Sequence, residues 1–62
     1  MNEYEVKYTQ YTSKRQIRWA VQVTNPATQN VISEPGFKSR EAAQEWAAQI
    51  QQTGNATLDM QH

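Results

Sequence analysis

A chain of 62 residues allows one domain, and chains this short bury only about 60% of the surface they expose when unfolded. Six basic and six acidic residues leave no net field to concentrate it on nucleic acid or membrane, and with no cysteine neither a disulfide nor a thiolate metal site can add stability. No stretch approaches the roughly 18 apolar residues of a membrane span and no basic start with an apolar run marks a signal peptide, so no membrane partner and a cytoplasmic setting are expected.

The charge is uneven along the chain. Residues 1–40 hold all six basic residues and three of the acids, giving +3, and the remainder carries −3. Two Trp, three Tyr and one Phe stand in a hydrophobic share of 37%, which predicts a small core led by aromatic side chains.

Tyr4, Val6 and Tyr8 alternate with Glu5, Lys7 and Thr9, the period-two pattern of a half-buried strand, predicted over residues 3–11. Thr12 to Gln16 contains no apolar residue and reads as a hairpin loop with a basic tip at Lys14 and Arg15. Alternation resumes with Ile17, Trp19, Val21 and Val23 on one face, and Arg18, Ala20, Gln22 and Thr24 on the other. Asn25-Pro26-Ala27-Thr28 suits a type I turn, because the Asn side chain bonds the backbone ahead of it and Pro presets φ at the second position. A short third strand, Asn30 to Glu34, is predicted to pair back and to end at Pro35-Gly36, with Phe37 returning to the core.

Ser39 is a predicted N-cap, with Glu41 in the first turn where the helix dipole favours an anion. Ala43, Trp46, Ala47 and Ile50 follow at i, i+3, i+4, i+7, one buried stripe of a helix predicted from Arg40 to Gln52 and stopped by Gly54. The order β-β-β-α implies an α+β fold, a three-stranded antiparallel sheet packed on one C-terminal helix. Residues 1–54 are expected to form the domain, with 55–62 as a flexible tail.

Catalysis is not expected, since there is no Cys and the only His is the last residue, His62. Glu41 and Glu45 share a helical face but read as a solvated pair, so no metal, cofactor or small-molecule substrate is expected. Asn55-Ala56-Thr57 matches a glycosylation acceptor without a secretory context to use it. Trp19 and Trp46 are expected in the core.

The opposite face of the sheet remains. Lys7, Thr9, Tyr11, Arg18, Ala20, Gln22, Thr24 and Ser33 are expected there, with Lys14 and Arg15 at the adjoining tip. A two-stranded ribbon fits the DNA major groove, with Arg18 and Gln22 placed to reach base edges and the tip residues to meet phosphates. An ordinary solvated face would present much the same residues.

Trp19-Ala20-Val21-Gln22-Val23-Thr24-Asn25-Pro26-Ala27 followed by the run from Gly36-Phe37-Lys38-Ser39-Arg40-Glu41-Ala42-Ala43 through Ile50 resembles the plant ethylene-response-factor DNA-binding domain and the related arm-binding domain of phage and transposon integrases, over about Tyr4 to Gln51. The best matches are Trp19, Ala20, Pro26, Phe37, Glu41, Ala42 and Ala43. The resemblance implies a three-stranded sheet plus helix, and recognition of duplex DNA by Arg18, Ala20, Gln22 and Thr24 of the middle strand. The sequence departs from that pattern in having one Arg on this strand, and Val31, Ile32 and Ser33 where the family has Arg and Trp on the third. Two readings stay open: a non-enzymatic module that binds duplex DNA through the outer sheet face, and a protein-interaction module that uses the same face or an exposed edge strand. The sequence sets no oligomeric state.

Overall fold

Three runs of alternating side chains form three strands, β1 (Glu5–Ser13), β2 (Gln16–Asn25) and β3 (Asn30–Phe37), in a computed structural model that describes residues 3–61. They pair antiparallel in chain order. A helix follows, α1 (Arg40–Thr53), then one further helical turn, α2 (Ala56–Asp59). This is the expected α+β architecture, a three-stranded antiparallel sheet followed by a C-terminal helix.

Register decides what each face carries. Val6 lies opposite Val23 and Tyr8 opposite Val21, while Ile32 meets Val23 from β3, so these side chains share the face that meets α1. On the helix, Ala43, Ala47 and Ile50 are buried. The two alanines carry little side chain, which lets the helix lie close to Val21 and Val23, 1% and 0% exposed.

The core among the described residues contains one aromatic, Tyr4, and its least exposed large side chains, Val21, Val23 and Leu58, are aliphatic, which corrects the expectation of an aromatic-led core. Tyr8, Trp19, Phe37 and Trp46 are half-buried and pack around that centre. Phe37 and Trp46 form a tilted pair with ring centroids 5.9 Å apart at 52°, within the geometry that aromatic quadrupoles favour. Arg40 places its guanidinium carbon 5.7 Å from the Tyr8 ring centroid, a cation over an aromatic face.

Both helix ends obey their local signals. Ser39 Oγ accepts from the Ala42 amide at 3.1 Å, and Gly54, at φ 79°, donates its amide to the Ile50 carbonyl at 2.8 Å. The third strand differs from expectation. It continues through Pro35 and Gly36 to pair Phe37 with Trp19, because a bulge between Trp19 and Val21 absorbs the extra residue. Gly36 makes this feasible at φ 93°, where no neighbour lies within 4 Å of a Cβ placed on it, so backbone conformation sets the requirement.

Residues 55–61 also depart from the expected tail, although His62 lies outside the described residues. Leu58 is fully buried against the sheet. Asn55 caps α2, its Oδ1 accepting from the Thr57 and Leu58 amides at 2.9 and 3.2 Å. A single helical turn leaves its carbonyls unpaired, and the β2–β3 turn supplies donors to them. Asn25 Nδ2, Thr28 Oγ1 and Asn30 Nδ2 approach the Leu58 carbonyl at 3.1, 2.6 and 3.3 Å. Asn30 Nδ2 also meets the Thr57 and Met60 carbonyls at 3.0 and 2.6 Å. From β1's approach, Tyr4 donates its hydroxyl to Asp59 Oδ1 at 2.7 Å. Burial, and then this acceptor carboxylate, push the Tyr4 hydroxyl pKa above its ordinary value.

Candidate nucleic-acid interface

The sequence-predicted site residues come together on one side of the β1–β2 hairpin. Lys7 pairs with Gln22, Thr9 with Ala20, Tyr11 with Arg18 and Glu5 with Thr24. Directly opposite residues share a face, and this one is turned away from the Val21 and Val23 side that α1 covers. Ser33 joins it from β3 opposite Gln22. Lys7, Thr9 and Gln22 are exposed, while Tyr11, Arg18, Ala20 and Thr24 are half-buried among their neighbours.

Arg18 is held in place by its own strand. Its guanidinium donates to the Ile17 carbonyl at 3.0 Å and to the Gln16 side-chain oxygen. Fixing a guanidinium fork in advance lowers the entropy lost when it meets a phosphate or a base.

The hairpin tip is tighter than the predicted loop of Thr12 to Gln16. Ser13 pairs with Gln16, leaving only Lys14 and Arg15 between the strands, at φ 50° and 65°. Positive φ at both central residues defines a type I′ turn, whose twist matches that of the flanking strands and which ordinarily selects Asn-Gly. Lys-Arg carries none of that signal, which is why the tip reads as a longer loop and why Ser13 and Gln16 were not predicted on this face. Extending the alternation two residues beyond Tyr11 reaches Ser13, and stepping back from Arg18 reaches Gln16.

Beyond Trp19, β2 has no β3 partner and continues with β1 alone. Four residue steps at about 3.4 Å carry the tip roughly 13 Å past the last three-stranded pair. Ile17 accordingly stays 57% exposed, although its alternation places it on the core side: neither α1 nor β3 reaches it. The radius of gyration is 12.3 Å, against about 10.5 Å for a compact domain of this length, and the extents are 40 × 20 × 14 Å. The hairpin is a projecting arm with two cationic residues at its end.

Among the described residues no group of three or more His, Cys, Asp or Glu comes together as metal ligands. Among the described residues no helix is long and apolar enough to cross a membrane. No family model, curated protein sequence or solved structure matches the chain. The likeness to ethylene-response-factor and integrase arm-binding domains therefore assigns no residue here, and the functional reading rests on this geometry.

Proposed function

We propose that this chain is a small non-enzymatic binding module that engages duplex DNA with the outer face of β1 and β2 and with the arm that they extend. The observation that carries the reading is the register. It gathers Lys7, Thr9, Tyr11, Arg18, Gln22 and Thr24 on one face and leaves Lys14 and Arg15 at the free end of the same ribbon. The major groove admits a two-stranded ribbon, polar side chains on its outer face meet base edges, and cations at its tip meet phosphates.

The composition of the tip supports the same reading. Long cationic side chains occupy two left-handed positions where Asn-Gly costs less conformationally, and departures from a local rule concentrate where function is served. Glu5, at the far end of the face opposite Thr24, places a like charge against phosphate there and favours contact nearer the arm.

Titration with a mixed-sequence duplex, followed by amide chemical shifts at low salt, tests this. Shifts are expected at Lys7, Lys14, Arg18 and Gln22, with Ala43 and Ile50 still. The affinity should fall with log salt at a slope of about −3 if roughly three phosphates are contacted. No perturbation of the arm at low salt overturns the reading. A second reading, protein interaction, is favoured by one separate feature, the outer edge of β1.

A further inference from the structure

The two edges of the sheet are built differently. Along β3, Pro35 has no amide to donate, the bulge beside Gly36 breaks the register, and Glu34, paired with the buried Val21, brings a charge to the helix side of the sheet. These are devices by which proteins keep an edge from pairing with another strand. The β1 edge has none of them. Its nine residues pair with β2 in unbroken register, contain neither Pro nor Gly, and place Val6 and Tyr8 on the helix side, with no charge there. Its charges, Glu5 and Lys7, both lie on the outer face.

Those two charges make the edge complementary to itself. In a closed two-fold pair, residue i meets residue j and j meets i. A two-fold axis normal to the sheet through Val6 sets Val6 against Val6 and Glu5 against Lys7 twice at the start of β1, and brings Tyr4, which precedes the strand, against Tyr8 twice. Moving the axis to Glu5 or to Lys7 sets that charge against itself, although the Glu5 register also brings Glu3 against Lys7, and moving it to Tyr8 sets Lys7 against Thr9 and Glu5 against Tyr11. Only the Val6 register satisfies both charges. The helices do not obstruct it, because α1 lies over β2 more than over β1.

We infer that two copies of this chain pair antiparallel through the outer edges of β1, centred on Val6, into one six-stranded sheet. Both α1 helices then lie on one side and the two arms point in opposite directions along the sheet, so the polar outer faces become continuous. The inference stands apart from the nucleic-acid reading, since it uses the edge and not the face as a docking surface.

Sedimentation equilibrium of the full chain without nucleic acid tests it, with folding of each variant checked by circular dichroism. The wild type should approach twice the chain mass as concentration rises. Glu5→Lys alone and Lys7→Glu alone should each weaken association by about tenfold or more. The double variant should recover it, and a mixture of the two single variants should form the mixed pair. A wild type that stays monomeric to millimolar concentration, a dimer indifferent to either reversal, or a double variant that does not recover overturns the inference. Because no DNA is present, these outcomes leave the duplex titration to be judged separately.

Discussion

The two ends of the sheet are stabilised in opposite ways. At the end near Asn25 and Asn30, Leu58 is fully buried, and three side chains of one turn donate to the carbonyl of that same residue. At the other end the hairpin runs on as two strands with no helix over it and Ile17 exposed. A domain with so little core cannot distribute its stability evenly. Packing and hydrogen bonds gather at one end, and the other is left free to reach.

Leu58→Ala should have the largest effect. Removing a fully buried leucine costs about 3 kcal/mol, a large part of the roughly 3 to 9 kcal/mol expected for a domain of this length. Urea denaturation should show the midpoint falling steeply, and a loss under about 1 kcal/mol would mean that α2 contributes little to the core. Trp46→Ala should cost less, about 2 kcal/mol, because the half-buried ring pairs with Phe37 at the margin of the aliphatic centre, where a fully buried Trp would cost about 3 to 5 kcal/mol. Near-ultraviolet circular dichroism should report the loss of the tilted pair.

Asn25→Asp separates the turn from the clasp. The Asn25 Oδ1 accepts from the Ala27 amide at 3.0 Å, while its Nδ2 donates to Leu58 and Asp59. A carboxylate keeps the first contact, loses the second and third, and stands beside Asp59. The expected cost is about 1 kcal/mol, with faster amide exchange confined to residues 55–60. Unchanged protection there would show that Leu58 packing alone holds the segment.

How much of this was legible in the sequence follows from the range of each interaction. The helix stripe of Ala43, Ala47 and Ile50 and the alternation through Val21 and Val23 are local periodicities, and they predict the layers and the orientation of the outer face. The clasp joins residues about 30 positions apart. Asn25 already has a complete local role as a turn residue, so nothing in its surroundings signals a second one. Leu58 is a single large aliphatic side chain in a polar stretch, with no period to join. At the β3 bulge, Pro35-Gly36 reads as a strand end because both residues ordinarily interrupt a ladder. The pairing of Phe37 with Trp19 across it is a tertiary outcome.

At the arm the expected stability change is no larger than at Asn25, and it has the opposite sign. Replacing Lys14 and Arg15 by Asn and Gly puts at the tip the residues that a type I′ turn prefers. The folded domain should gain about 1 kcal/mol, seen as a higher urea midpoint. If the tip contacts phosphate, the same variant should bind duplex more weakly, and its log affinity against log salt should be shallower by about 2 units. Stability and affinity moving in opposite directions would show that the left-handed Lys-Arg pair is retained for contact with the duplex. A gain in stability with unchanged affinity and slope would place DNA recognition, if any, on the face alone and reduce the arm to an extension of the sheet.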